Sequence, residues 1–292
     1  MKKLFLRIYY ELVRLVTKKP FIAEVDITDR CNLRCTHCYH FQEKNNLKDE
    51  PDLTQWEKRF RKLYSDGIRM IMLMGGEPLL RPDVIKLADS IFPFVEMITN
   101  GTLPLPQNHD HRIFVSIDGK KETNDSIRGK GVFDKVVKNV ENDKRVVFNM
   151  TLLESNFKEL EYVVELSEKI GVSGVVCNMY TAVENGEKPL EENVRKNIVK
   201  ELRRVKKLKP GTLLFTENAI KWFEAADHRD YCYWRDQVLH FDTDLNPRRC
   251  FATADCSKCG CYAGAMGSPF GSLKKFPELF KLSYDILKKR SN

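Results

Sequence analysis

The sequence predicts an α/β protein built on a parallel sheet, and two observations support this fold class. From about residue 21, short apolar runs of β type alternate with segments of helical period, as in strands joined by crossover helices. The chain has 292 residues, of which 42% are apolar and 31% charged, enough to bury a full core. The pattern gives six β/α repeats by residue 180, and periodicity alone leaves a partial barrel and a doubly wound sheet open.

The predicted elements follow one another regularly. The strands are FIAEVDIT at 21–28, RMIMLM at 69–74, VEMIT at 95–99, RIFVSID at 112–118, VVFNMTLL at 146–153 and GVVCNMY at 174–180. Helices are predicted at 52–67, 82–92, 132–142 and 157–171. Asp52 or Thr54 is the expected N-cap of the first of these helices, and Gly67 its end. A polar loop at 182–192 and a charged helix to about Lys207 follow, and the rhythm is lost beyond residue 211.

The first residues, MKKLFLRIYYELVRLVTKK, predict an amphipathic helix. Arg7, Glu11 and Arg14 interrupt the apolar run that a signal peptide would need. The helix either packs on the domain that follows it or lies on a membrane surface through residues 1–18. No stretch approaches 18 consecutive apolar residues, so no spanning segment is predicted.

Charge and cysteine content narrow the class of protein. The formal net charge is +8, but no basic stripe with interleaved aromatic residues indicates nucleic-acid binding. The cysteine count is nine, an odd number, and most of them form two clusters at metal-like spacings, which favours a reducing, cytoplasmic setting.

Three cysteines lie within eight residues, in CNLRCTHC at 31–38. Cys31, Cys35 and Cys38, the first cysteine group, follow the first predicted strand, where β/α folds place their active sites. A zinc ion would need a fourth ligand, which His37 or His40 could offer. An iron–sulfur cube held by three thiolates would instead keep one iron open for a ligand.

The spacing of the first cysteine group, together with GGEP at Gly75–Pro78 after the second strand, resembles the radical S-adenosylmethionine (SAM) superfamily over roughly residues 21–180. The family usually has an aromatic residue where this chain has His37. The resemblance implies a partial (β/α)6 TIM-like barrel, a [4Fe–4S] cluster on the three cysteines and SAM on the open iron. It also implies reductive cleavage of SAM to a 5′-deoxyadenosyl radical, with electrons from a flavodoxin-type or ferredoxin-type donor.

The resemblance further assigns residues to SAM. Glu77 is expected near the SAM ammonium, and the two glycines are expected to let backbone carbonyls approach the ligand. Strand ends supply the remaining contacts, and the full predicted set is Gly75, Gly76, Glu77, Pro78, Thr99, Asn100, Ser116, Arg128 and Asn149. For Arg128 and Asn149, a surface charge and a strand polar residue remain alternatives. No residue is assigned to catalysis on the substrate.

The second cysteine group comprises Cys232, Cys250, Cys256, Cys259 and Cys261. A hairpin formed by QVLHFD, TDLN and PRRC is expected to bring the first two together. The group resembles the SPASM or twitch extension of radical SAM enzymes, and four of the five cysteines are predicted to hold one auxiliary [4Fe–4S] cluster; a zinc site is the alternative. Cys177, alone in its strand, is predicted to be a small buried apolar residue.

Four regions follow from these predictions: the amphipathic helix at 1–20, the radical SAM barrel at 21–181, a helical connection at 182–230, and the cysteine-rich extension with a C-terminal helix at 231–292. The expected function is a radical SAM enzyme that acts by hydrogen abstraction or radical addition on an unidentified substrate. A lipid or other small molecule is favoured by a distant similarity of the extension to hopanoid-adenosylating enzymes. The alternatives are a maturase of a ribosomally made peptide and, from another class, an iron–sulfur or zinc protein for electron transfer or interaction.

Overall fold

The computed structural model describes residues 2–40, 50–182, 188–225, 227–250 and 256–267. Seven strands form one sheet in these residues, in the order β6-β5-β4-β3-β2-β1-β7. Every neighbouring pair is parallel. The strands are β1 (Ile22–Asp26), β2 (Met70–Met74), β3 (Phe94–Thr99), β4 (Ile113–Ser116), β5 (Val146–Leu152), β6 (Val175–Met179) and β7 (Leu239–Phe241). Six parallel strands in sequential order confirm the predicted partial barrel.

The helices connect these strands and follow the barrel. They are α1 (Lys2–Thr17), α2 (Leu53–Ser65), α3 (Pro82–Ile91), α4 (Lys121–Arg128), α5 (Val132–Val140), α6 (Leu160–Lys169), α7 (Glu192–Leu208), α8 (Glu217–Ala225), α9 (Tyr233–Gln237) and α10 (Tyr262–Gly267). Asp52 caps α2 in a capping box with Gln55, as predicted. None of the helices in the described residues is long and apolar enough to cross a membrane.

Helix α4 was not predicted, because its sequence KETNDSIR lacks an apolar period. Backbone hydrogen bonds close both of its ends. The Asn124 N–H donates to the Lys120 carbonyl at 2.7 Å, and the Gly129 N–H donates to the Asp125 carbonyl at 2.9 Å. Its last residue is Arg128, which the helix turns toward the interior. The helix therefore matters for the site, although its own composition gives little sign of it.

The hairpin prediction is only partly confirmed. The segment expected as its first strand is β7, which extends the main sheet by pairing with β1 in parallel. The return segment meets β7 at one antiparallel bridge, between Phe241 and Pro247. In the turn, the Asp242 N–H donates to the Asn246 carbonyl and the Asn246 N–H donates to Asp242 Oδ1. A three-residue strand carries too little periodicity to indicate a parallel partner.

The strands at the centre of the sheet are buried on both faces. All five residues of β1 and of β2 are buried, as expected where helices cover one face and side chains fill the other. Cys177 in β6 is fully buried in this core, which confirms its predicted apolar role. The predicted C-terminal helix and part of the predicted 182–192 loop lie outside the described residues.

The loop after β2 lies directly against the loop after β1. The Gly76 N–H donates to the Thr28 carbonyl and the Glu77 N–H to the Arg30 carbonyl, both at 2.8 Å. A Cβ on Gly75 would lie 2.2 Å from the Thr28 oxygen, and one on Gly76 would lie 2.1 Å from the Arg30 oxygen. The sequence-based explanation, that the glycines let backbone carbonyls approach the ligand, is therefore incomplete. The absence of the two Cβ atoms first makes room for backbone atoms of the neighbouring loop.

We expect Gly76→Ala to lower the thermal midpoint markedly, because the new methyl would overlap a backbone carbonyl that cannot rotate away. The expected cost is about 3 kcal/mol, or a midpoint lower by roughly 6–10 °C in a chain of this size. Gly67→Ala is the matched control: it strains a residue with φ of +103° but meets no atom within 4 Å, so it should cost only about 1 kcal/mol. Equal shifts for the two variants, measured by differential scanning fluorimetry, would contradict the loop contact.

Candidate active site

A cavity of about 250 Å³ lies at the carboxyl ends of the strands. Parallel strands bring their carboxyl ends to one edge, so residues far apart in sequence meet there. The cavity is lined by the complete first cysteine group and by seven of the nine predicted SAM residues, namely Gly75, Gly76, Thr99, Asn100, Ser116, Arg128 and Asn149. Natural interiors hold few voids larger than a water molecule, so a cavity of this size marks a binding site.

Hydrogen-bond donors surround the loop that carries the first cysteine group. Its three thiols are half-buried and none forms a disulfide. The Leu33 N–H donates to Cys31 Sγ at 3.4 Å, and Asn100 Nδ2 lies 3.8 Å from the same sulfur. Arg128 Nη1 lies 3.9 Å from Cys35 Sγ. Donors and a cation around these sulfurs favour the thiolate form that a metal or cluster requires.

Burial acts in the opposite direction on these thiols. It raises the pKa of Cys35 to about 11, although the nearby Arg128 guanidinium opposes it. The pKa of Cys31 is raised as well, mainly by burial. Burial thus favours the protonated form of Cys31 and Cys35, so a metal centre that bound them as thiolates would displace protons.

The two histidines of this loop contact carboxylates. His37 Nε2 lies 2.7 Å from Asp118 Oδ2, and His40 Nε2 lies 3.4 Å from Asp29 Oδ1. A carboxylate contact at one ring nitrogen is also typical of metal-binding histidines, so these contacts leave the zinc alternative open. Within the described residues, no three Cys, His, Asp or Glu side chains are arranged to hold one ion. Three thiols that border one cavity fit a cluster, in which each thiolate binds a different iron.

Arg128 is one of three buried polar side chains beneath the first cysteine group. Its Nε lies 2.7 Å from Asp118 Oδ2, the oxygen that also contacts His37. Burial alone would raise the pKa of Asp118, but Arg128 and His37 hold it well below its usual range. Only 7% of Arg128 is exposed, so the alternative of a surface charge is wrong. A positive charge is thus fixed beside Cys35 and at the cavity wall.

Glu77 is buried behind the cavity wall. One carboxylate oxygen accepts hydrogen bonds from Thr99 Oγ1 at 2.6 Å and the Leu79 N–H at 2.9 Å, and the other accepts one from the Asn100 N–H at 2.7 Å. Burial raises the pKa of Glu77 in spite of these donors. In the structure the carboxylate therefore joins the ends of β2 and β3. Contact between Glu77 and the SAM ammonium stays a prediction.

The fourth, fifth and sixth strands present a continuous polar row. Ser116 is paired in register with Asn149, and both line the cavity. Asn149 Oδ1 accepts a hydrogen bond from Asn178 Nδ2 at 2.8 Å, and Asn178 Oδ1 accepts one from the Tyr262 N–H, also at 2.8 Å. Asn149 is thus part of the site and also connects it to the second cysteine group.

The opposite wall of the cavity contains a charged cluster that sequence reasoning missed. Glu24, in the middle of β1, accepts hydrogen bonds from Trp234 Nε1 at 3.0 Å and from Arg248 Nη2 at 2.7 Å. Arg248 also lies 3.1 Å from Asp26 Oδ1. Burial raises the pKa of Glu24, but His240 and Arg248 outweigh it and lower the pKa to about 2. Two acidic residues inside an otherwise apolar strand, Glu24 and Asp26, were the available signal.

The second cysteine group docks on the end of β6. The Met179 N–H donates to the Gly260 carbonyl at 2.9 Å, and a Cβ on Gly260 would lie 2.4 Å from the Met179 side chain. Arg195 of α7 donates to the carbonyls of Lys258 at 2.8 Å and Cys259 at 3.1 Å. The loop that carries the last cysteines is therefore fixed to the barrel by backbone contacts and a buried arginine.

The thiols of the second group lie near one another. Burial raises the pKa of Cys261 well above its usual value, and the charges of Cys259 and Cys250 raise it further. Burial raises the pKa of Cys259 to about 11, with contributions from Cys232 and Cys256. Cys261 also lines the cavity, so members of both cysteine groups line the same cavity. Which four of the five bind a metal centre stays a prediction.

Comparison with known proteins agrees with this geometry. The model of the radical SAM superfamily matches residues 25–167. An AdoMet-dependent heme synthase of Methanosarcina barkeri is 31% identical over 53% of this chain and 49% of its own length. The antilisterial bacteriocin subtilosin biosynthesis protein AlbA of Bacillus subtilis is 25% identical over 90% of this chain and 57% of its own. The chain thus spans about half the length of the curated relatives it matches.

Comparison with solved structures shows the same fold. Streptococcus suis SuiB bound to precursor peptide SuiA superposes with a TM-score of 0.65 at 13% identity, over 87% of this chain and 67% of that one. The AlbA match must include part of the cysteine-rich extension, because residues 1–230 make up only about 79% of the 292-residue chain and the match covers 90%. With three cysteines and the two glycines of a Gly-Gly-Glu-Pro loop lining one cavity of a partial barrel, the chain belongs to the radical SAM superfamily and carries a SPASM/twitch-like extension.

Proposed function

We propose that this chain is a radical SAM enzyme. The observation that supports this best is a single cavity with three unpaired thiols on one wall and the family's SAM-binding positions beside them. When bound, a reduced [4Fe–4S] cluster with SAM on its open iron supplies the electron that cleaves the sulfonium to methionine and a 5′-deoxyadenosyl radical. The substrate is then attacked by hydrogen abstraction or radical addition.

The chain's own residues bind, orient and shield in this proposal. Cys31, Cys35 and Cys38 would hold the cluster. Arg128 places a cation beside Cys35 and at the cavity wall, where it would attract the carboxylate of SAM. Asn100 orients the loop, since its Nδ2 donates to Asn32 Oδ1 at 2.9 Å as well as contacting Cys31. Polar groups held this firmly need no rearrangement when the ligand binds.

The same proposal assigns an auxiliary [4Fe–4S] cluster to four cysteines of the second group. Arg195 holds its loop, and Arg249 Nη2 lies 3.8 Å from Cys256 Sγ. Several arginines near the thiols suit an anionic centre. Zinc on the same ligands is the alternative. Because Cys261 borders the cavity, this centre would adjoin the substrate rather than stand apart from it.

We propose the substrate class from the share of the chain that each named relative matches. AlbA, named for subtilosin biosynthesis, matches 90% of the chain, and the sporulation killing factor maturation protein SkfB of Bacillus subtilis matches 77% at 29% identity. These matches favour maturation of a ribosomally made peptide. A lipid or other small molecule is the competing substrate, and the distant likeness to hopanoid-adenosylating enzymes stays a prediction. An electron-transfer protein would have no use for the SAM-binding wall.

Two further parts of the proposal concern partners and location. An external donor of flavodoxin or ferredoxin type would reduce the clusters in a cytoplasmic setting, where free thiols persist. The predicted membrane contact through residues 1–18 is kept, since the face of α1 that is turned away from the barrel is apolar and basic.

We expect the anaerobically reconstituted and reduced protein to convert SAM to 5′-deoxyadenosine and methionine, measured by chromatography and mass spectrometry. Cys35→Ala should lose the cluster absorbance and all measurable cleavage, because it removes one of three cluster ligands. Cys177→Ala is the matched control, since that cysteine is buried away from the cavity and should leave both unchanged. Wild-type protein that carries an intact cluster but forms no 5′-deoxyadenosine would refute the enzyme proposal.

Iron and sulfide analysis should give about eight of each per chain, as two [4Fe–4S] clusters require. The double variant Cys256→Ala/Cys259→Ala should retain about four, because only the second group loses its ligands. A wild-type count near four with about one zinc per chain would replace the auxiliary cluster by a zinc site. A double variant that loses all iron would show that the two groups do not bind independently.

The substrate is tested by comparing candidate molecules in the same assay. Precursor-like peptides encoded beside the gene should show a mass change that depends on SAM and reductant. A lipid extract of the host is the parallel arm, analysed for adducts of adenosine. Modification of a lipid without modification of any peptide would overturn the peptide proposal, while leaving SAM cleavage itself intact.

A further inference from the structure

The first helix, α1, packs on the protein with apolar side chains, Leu6 and Tyr10, and with two buried charged ones. Glu11 and Arg14 are only 1% and 3% exposed. Arg14 Nε donates to Glu11 Oε2 at 3.0 Å, and Tyr233 Oη donates to Glu11 Oε1 at 2.9 Å. Arg14 Nη1 also donates to Gln237 Oε1 at 3.1 Å. The charged residues that looked like the solvent face of an amphipathic helix are therefore an internal contact with α9.

The opposite face of α1 is apolar and exposed. Its side chains form the apolar stripe, defined as Phe5, Tyr9, Leu12, Val13 and Val16, with exposures of 63%, 58%, 46%, 37% and 84%. Positions 5, 9, 12 and 16 follow the spacing that places residues on one side of a helix. Large apolar side chains aligned in this way, rather than scattered singly, mark an interaction surface.

The charges around the apolar stripe are of one sign. Lys18 and Lys19 follow the helix and are exposed. Arg7 lies on the other side of the helix, with Glu11 and Arg14, and its Nη1 is 3.5 Å from Glu96 Oε1. Glu11 is the only acidic residue between Lys2 and Lys19, and it is buried. Among the described side chains, the outer face of α1 is thus apolar and free of anions, and two exposed lysines follow it directly.

We infer that the apolar stripe and its flanking cations bind an anionic lipid surface. A face of this composition lies in the interface with its apolar side chains among the acyl chains and its cations at the headgroups. Packing on the protein and contact with a membrane, treated as alternatives from the sequence, use different faces and occur together. The inference is independent of SAM chemistry, because no residue of the stripe lines the cavity.

The test uses the full chain and flotation with vesicles. Protein is mixed with phosphatidylglycerol/phosphatidylethanolamine vesicles or with pure phosphatidylcholine vesicles, and the floated fraction is measured. The anionic vesicles should bind it and the neutral ones far less. Phe5→Ser/Val16→Ser should weaken binding by roughly tenfold or more, because two exposed apolar groups are lost. Lys18→Gln and Lys19→Gln should each weaken it roughly fivefold.

Point substitutions are better here than deletion of residues 1–18, because deletion would also remove the contacts of Glu11 and Arg14 beneath α9. Leu208→Ser is the matched control: Leu208 is 53% exposed at the end of α7, so the change should leave flotation unaltered. The thermal midpoints of all variants should stay within about 2 °C of wild type, since the changed groups are on the surface.

Absence of flotation with both kinds of vesicle would overturn the proposal. A dimeric mass in solution would also overturn it if Phe5→Ser/Val16→Ser reduced that mass to one chain and left flotation unchanged. The apolar stripe would then bind a second copy of the chain. A truncation before residue 268 that newly creates vesicle binding would assign the stripe to the chain's own C-terminal segment instead.

Discussion

The site depends on the contact between the loops that follow β1 and β2. Two backbone hydrogen bonds join residues 28–30 to Gly76 and Glu77, and the absence of a Cβ on two successive glycines permits the approach. The first cysteine group begins directly after this contact, so its position relative to the SAM-binding wall is set by main-chain atoms. Backbone geometry is less adaptable than side-chain packing, which explains why so short a motif can specify the arrangement.

Buried ionic clusters stand on both sides of the cavity. Asp118 compensates Arg128 beneath the first cysteine group, and Glu24 compensates Arg248 on the opposite wall. A buried charge without its partner is costly, so each pair holds its members in one geometry. Arg248 also donates to the Cys250 carbonyl at 2.7 Å, which ties the extension to β1. The extension is therefore part of the wall of the site, because Trp234, Cys261 and Tyr262 line the cavity.

The first helix has an unusual division of roles. Its buried face combines apolar contacts of Leu6 and Tyr10 with a charged pair that contacts α9 next to Cys232, whereas its exposed face is apolar. The helix is thus connected to the cysteine-rich extension by hydrogen bonds and leaves its hydrophobic surface for another partner. An amphipathic pattern alone shows that two faces differ, but it does not show which face meets the protein.

The sequence by itself determined the β/α order, the Asp52 cap and the two motifs of the site, because these depend on local periodicity and on short spacings. Seven of the nine predicted SAM positions do line one cavity, since strand ends of a parallel sheet necessarily converge. Tertiary structure decided the rest. The pairing of β7 with β1, the burial of Arg128 against Asp118, the role of Glu24 and the orientation of α1 all depend on partners that are distant in sequence. Such contacts produce no periodic pattern and no characteristic spacing in the sequence, because only the folded chain brings those residues within hydrogen-bonding distance.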